Sequence, residues 1–183
     1  MQLEEFLERS AQARPEKTFL VCGARRYSFG DVDVAANRLA HALAAEGIRR
    51  GDRVAVFLDN GFEAVVSVFA ILKAGAVFIV VNPTTKADKL KYILNNSRAA
   101  ALIAPARKLA GWGYLWQETM HLVRLVAVGG AAPELPAGSP PCVAFDDLIA
   151  ACADRDAAPA KRAIDVDLAA LIYTSGSDRK SVV

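Results

Sequence analysis

The residues best suited to do chemistry stand together near the end of the chain. They are Thr174, Ser175, Gly176 and Ser177, with Lys180 close behind. The stretch offers three hydroxyls, and its glycine lets the backbone approach a ligand closely. Successive amide N–H groups in such a turn form a concave anion site, to which Lys180 adds charge. The ligand class this implies is a polyphosphate. The residues just before, Ala169 to Tyr173, are apolar or aromatic, as expected of a strand covered on both faces that delivers the loop.

Other candidates are weaker. Arg26-Tyr27-Ser28-Phe29-Gly30 lacks the first glycine of a nucleophile elbow, and Asp31 three residues beyond Ser28 makes that serine a helix cap. Gly111-Trp112-Gly113 opens a dinucleotide fingerprint, but Trp116 occupies the place of its third glycine and no strand precedes it. Gly176 to Ser181 lacks the glycine before lysine of a phosphate-binding loop, and its spacing is short. His41 and His121 lie far apart and imply no metal site, and His41 is expected on a solvated helix face. Asp146 and Asp147 are adjacent, so they serve a helix N-terminus better than an acid–base pair.

The elements that must position the loop follow from composition and periodicity. The chain has 183 residues, 54% apolar and 23% charged, which suits one globular domain with a core. Its net charge of +2 and lack of basic runs point to no nucleic-acid partner. Cys22, Cys142 and Cys152 show no paired spacing and are read as free thiols of a cytoplasmic protein. The acidic start argues against a secretion signal. The apolar stretch from Ala64 to Val81 is broken by Ser67, Lys73 and Gly75, so no membrane span is expected.

Leu3 to Ala13 is expected as a helix, followed by a hairpin about Gly23 and a helix from Ser28 to Glu46 stopped by Gly47. Strand Val54–Leu58, helix Phe62–Lys73, strand Ala76–Val81, a helix from Thr84 or Thr85 to Asn96, and strand Ala100–Ile103 then alternate. Short loops between them require parallel strands and right-handed crossovers. The predicted fold class is α/β, a doubly wound, mainly parallel sheet flanked by helices. Ligands on such sheets collect at the carboxyl ends of strands. Beyond this, Lys108 to Leu122 is expected as a helix, 124–128 as a strand, 129–142 as a surface loop, 145–153 as a short helix and 154–165 as a polar connector.

Two stretches resemble motifs of the adenylate-forming superfamily, which includes acyl- and aryl-CoA synthetases, firefly-type luciferases and peptide-synthetase adenylation domains. One is Ile71-Leu72-Lys73-Ala74-Gly75-Ala76-Val77-Phe78-Ile79-Val80-Val81-Asn82-Pro83. The other, Tyr173-Thr174-Ser175-Gly176-Ser177, looks like the start of the family's phosphate-binding loop. Tyr27 to Val32 and Gly51 to Val56 also match, so the resemblance covers residues 3 to 177.

The resemblance implies an ATP-dependent ligase. In its first half-reaction a carboxylic acid and ATP give an acyl-adenylate and pyrophosphate; in the second a thiol, often coenzyme A, takes the acyl group. It assigns Thr174, Ser175, Gly176 and Ser177 to the β- and γ-phosphates of ATP, with Mg²⁺ sharing that load, and Lys180 stands beside them as the cofactor-binding cation that the residues themselves suggest. The Asn82-Pro83 ending leans toward the acyl-CoA synthetase branch.

Relatives continue the loop as Thr-Gly-x-Pro-Lys-Gly, whereas this chain reads Asp178-Arg179-Lys180-Ser181-Val182-Val183. A carboxylate at Asp178 beside phosphate is repulsive. Residues 1–177 are thus expected to be the N-terminal portion of an adenylation domain, with 178–183 an aberrant tail. The metal-binding acidic residue, the ribose-gripping Asp, most of the acyl pocket and a mobile C-terminal domain come later in relatives. The chain alone is therefore expected to lack activity and to bind neither ATP nor coenzyme A tightly. The alternative reading is a non-catalytic interaction module that dimerises through exposed apolar surface. A generic dinucleotide binder fits the fold but lacks the glycine fingerprint.

Overall fold

A computed structural model describes residues 2–160 and 163–174. Helix α1, Glu4–Ala13, precedes a hairpin of β1, Thr18–Cys22, and β2, Arg25–Ser28. Helix α2, Phe29–Ala45, starts at Ser28 as expected. Ser28 Oγ accepts from the Asp31 N–H at 3.1 Å, and Asp31 Oδ2 accepts from the Ser28 N–H at 2.8 Å. This reciprocal cap satisfies two donors that a helix N-terminus otherwise leaves open. Val32, Ala36, Leu39 and Leu43 form the buried stripe of α2.

The alternating unit follows as β3, Arg53–Val56; α3, Phe62–Lys73; β4, Val77–Val80; α4, Ala87–Asn96; and β5, Ala99–Pro105. Strands β6, Arg124–Val128, and β7, Cys142–Ala144, extend the sheet, and α7, Phe145–Ala151, closes the series. The main sheet has five strands in the order β4-β3-β5-β6-β7, all parallel. Strand alternation divides the core between its two faces. Val54 and Val56 meet α2 and α3 on one face. Ala55 and Phe57 join the residues of α4 on the other. Both faces are covered, which is why these strands read as continuous apolar runs.

The 106–116 stretch corrects the expected single helix from Lys108 to Leu122. It forms two short helices, α5, Ala106–Gly111, and α6, Gly113–Trp116. Trp112 breaks the helical path at φ −114° and ψ 30°. Trp116 turns inward and donates its indole N–H to Leu109 O at 2.8 Å. Packing is close at Gly113, where a Cβ would lie 3.0 Å from Pro136. Cys142 opens strand β7 rather than ending a loop, because β6 offers it a free parallel edge.

Helix α4 ends at Asn96, as the sequence indicates. Its stop is Arg98, a non-glycine residue at φ 51°. Arg53 holds that end by donating to Ser97 O and Arg98 O, both at 2.8 Å. Lys73 is drawn inward to Glu8 at 2.9 Å and Asp33 at 3.0 Å, joining α1, α2 and α3. His41 is half-exposed, and its Nε2 lies 3.1 Å from Ala157 O in the 154–165 connector. All three cysteines are free. No helix among the described residues is long and apolar enough to cross a membrane.

Candidate functional site

The chain returns to the sheet after the connector and lies against β4. Phe78 N–H donates to Ala169 O at 3.1 Å, and Leu171 N–H donates to Phe78 O at 3.0 Å. These bonds make a single parallel bridge between Phe78 and Ala170. The expected strand covered on both faces is therefore corrected to a one-sided extended segment. Leu171 and Tyr173 pack toward the α4 side of the core, while Ile172 between them is 82% exposed. The reason is position: β4 is an edge strand, and among the described residues nothing covers the outward face of the segment beside it.

Two polar devices hold the segment. Near its start, Arg50 donates through Nε and Nη2 to the two carboxylate oxygens of Asp167, each at 2.8 Å. This fork holds the Asp167 carboxyl below its ordinary range, and a hydrogen bond from the Ile164 N–H acts in the same direction. Near its end, the Tyr173 hydroxyl donates to Asn96 Oδ1 at 2.7 Å. Burial raises the Tyr173 phenol above its ordinary range.

Thr174 follows, exposed, at the carboxyl side of the sheet. Ser175, Gly176, Ser177 and Lys180 lie outside the described residues, as does the tail 178–183. Beside Tyr173 opens a cavity of about 480 Å³ lined by Val80, Thr84, Thr85, Lys86, Lys89 and Ile93, among others. Asn82 shapes its rim, with Oδ1 accepting from both the N–H of Thr84 at 2.9 Å and its hydroxyl at 2.7 Å. Lys86 is the N-cap of α4, so the amino end of that helix faces the same space. Sequence reasoning placed a helix start here but assigned no role to Lys86, Lys89 or Asn96. Their only signal is spatial, because they meet Tyr173 through a crossover of some eighty residues.

A second cleft of about 360 Å³ lies at the carboxyl ends of β3 and β5, where the strand order reverses. Its lining sets Asp59 and Glu63 against Arg107, a poor match for a polyanion. An apolar groove of about 620 Å³ runs between the β1–β2 hairpin and α3, lined by residues such as Phe19, Val21, Phe69 and Val80. The cavity beside Tyr173 carries two lysines and no carboxylate in its lining, and so suits an anion best.

Comparison with known proteins bears on this site. The chain is 42% identical over 109 residues to phosphinothricin tripeptide synthetase PhsC of Streptomyces viridochromogenes, covering 60% of this chain and 10% of that protein. It is 34% identical over 103 residues to a medium/long-chain-fatty-acid–CoA/3-oxocholest-4-en-26-oate–CoA ligase of Mycobacterium marinum, covering 56% of this chain and 19% of that protein. Its fold is similar to that of the anthranilate CoA ligase AuaEII, solved in complex with anthranoyl-AMP, with a TM-score of 0.83 and 28% identity. That match covers 96% of this chain and 32% of the ligase. The chain thus spans a minor part of each of these relatives. The family described as AMP-binding enzyme matches residues 7–178, and this chain belongs to it.

Proposed function

We propose that the chain supplies the phosphate-holding part of an ATP-dependent acyl-CoA synthetase-type ligase. The observation that carries this reading is the meeting of Tyr173, the residue before Thr174, with a lysine-bearing cavity at the carboxyl edge of a parallel sheet, in a chain of this family. Thr174, Ser175, Gly176, Ser177 and Lys180 are the residues assigned to the β- and γ-phosphates of ATP.

In the reaction, a carboxylate oxygen attacks the α-phosphorus, the bond to the β-phosphate oxygen breaks, and pyrophosphate leaves with the electron pair. A thiol such as that of coenzyme A then displaces AMP from the acyl-adenylate. Hydroxyl and N–H donors placed in advance around the leaving phosphates stabilise the charge that grows there. Lys86 and Lys89 add positive potential to the adjoining space. Mg²⁺ in such reactions is held largely by phosphate oxygens and water. The described residues gather no group of three or more His, Cys, Asp or Glu side chains.

The acid, ATP and coenzyme A belong on this reading to the whole ligase, acting in the cytoplasm. The chain spans a minor part of the length of its relatives, so on this reading no turnover is expected from these residues by themselves. Its exposed Val80 and Ile172 also favour self-association of the isolated chain, which light scattering reads directly. The test is ATP–pyrophosphate exchange across a panel of fatty and aryl acids. No exchange and weak, salt-sensitive binding of tripolyphosphate are expected from the chain. Robust turnover overturns the claim of inactivity, and indifference to tripolyphosphate overturns the assignment of the loop.

A further inference from the structure

We infer that Asn96 is a positioning residue for Thr174 and for the wall of the lysine-bearing cavity, acting through Tyr173; the functional part of this inference rests on the polyphosphate reading above. The segment 169–174 reaches the sheet at an exposed edge and has little apolar cover there. Its backbone is fixed at Phe78 by the two bonds that flank Ala170. Beyond Leu171 no further bridge is formed among the described residues, so Tyr173 depends on its side chain for its place. The ring of Tyr173 forms a wall of the lysine-bearing cavity together with Ile93. Its hydroxyl then reaches Asn96, the last residue of α4.

Helix α4 is itself anchored. Leu90, Ile93 and Leu94 are buried, and Arg53 of the central strand holds the carbonyls just past its end. Asn96 therefore transmits the position of a packed helix to a tyrosine on a thinly held edge. Thr174 is the next residue along the chain. A shift of the Tyr173 ring is a shift of the first hydroxyl of the loop and of the wall that adjoins Lys86 and Lys89. Asn96 is exposed, so replacing it leaves the core intact.

The test uses the 183-residue chain and three variants, Asn96→Ala, Asn96→Asp and Tyr173→Phe. Asp retains an acceptor oxygen for the tyrosine hydroxyl, whereas Ala does not. Two quantities are read: hydrogen exchange of the Leu171 amide, and the Kd for tripolyphosphate at low salt. In N96A, Leu171 exchange rises and tripolyphosphate Kd weakens, each by about three- to tenfold, the effect of one lost neutral hydrogen bond. Amides of β3 and β5 keep their wild-type exchange. Y173F matches N96A, the double variant N96A/Y173F is no worse than either, and N96D returns Leu171 exchange toward wild type while its Kd stays weak, because a carboxylate then lies beside the anion. Unchanged Leu171 exchange in N96A, or failure of N96D to restore it, overturns the inference whatever the ligand does. A wild-type chain that ignores tripolyphosphate while the exchange pattern holds overturns the polyphosphate reading instead, and supports the coupling of Asn96 to Tyr173.

Discussion

The centre of the sheet and its outer edge are held by different physics. In β3 and β5, Val54, Ala55, Leu102 and Ile103 are wholly buried between two helical layers. Their position is fixed by ladder bonds on both sides and by packing. The edge segment has one bridge, a bidentate Arg50–Asp167 pair and the Tyr173–Asn96 bond. The centre is insensitive to salt and moderate acid, because its stabilisation is apolar burial. The edge is held by exposed polar contacts, whose strength depends on both. Thr174, the first hydroxyl proposed for phosphate, follows the weaker of the two regions. The strong region supplies the frame, and the weak region can adjust when a ligand arrives.

The sharpest way to break this contrast is a cavity in the centre. Leu102→Ala removes a fully buried side chain from β5 and is expected to cost about 2–5 kcal/mol, read by urea denaturation. A cost near zero would mean that the two faces of the sheet are not closed in solution. A somewhat smaller loss is expected from Lys73→Ala. The Lys73 side chain is 1% exposed and lies within 3.0 Å of both Glu8 and Asp33. Its removal leaves two partly buried carboxylates facing each other, at an expected cost of about 3 kcal/mol. Ser28→Ala is smaller again, at about 1 kcal/mol, because it removes one side of the cap at the start of α2.

The same contrast explains what the sequence made legible. Strands β3 and β5 were readable because burial on both faces leaves uninterrupted apolar runs, as in Ala101-Leu102-Ile103-Ala104, and β4 because Val77-Phe78-Ile79-Val80 is equally apolar although its last residue is exposed. The Ser28 cap was readable because both halves of its hydrogen-bonded box sit three residues apart. The break at Trp112 was not, since it depends on where Trp116 and Pro136 find room. Nor was the one-sided character of 169–173. Ile172 is as apolar as its neighbours, and only the place of β4 at the edge decides that it faces outward. The candidate site was legible in part. The hydroxyls are local in sequence, but the lysines of the α4 start and the Asn96 partner come from a distant crossover.

The smallest effect is the most diagnostic of the edge. Asp167 is stabilised as a carboxylate in the folded chain by the Arg50 fork, so its folded pKa lies below its unfolded value. The contribution of such a group is present in full above the unfolded carboxylate pKa of about 3.9, and is lost as pH falls through the lower folded value. The pair is exposed, so its loss should leave global unfolding nearly unmoved. It should act locally: protection of the Leu171 amide, relative to its intrinsic exchange at the same pH, falls below pH 4 or in 1 M salt, while β3 and β5 keep theirs, about as in Asp167→Asn at neutral pH. If acid loosens Leu171 and the central strands together, the edge is not an independent unit. The centre and the edge are then one cooperative unit.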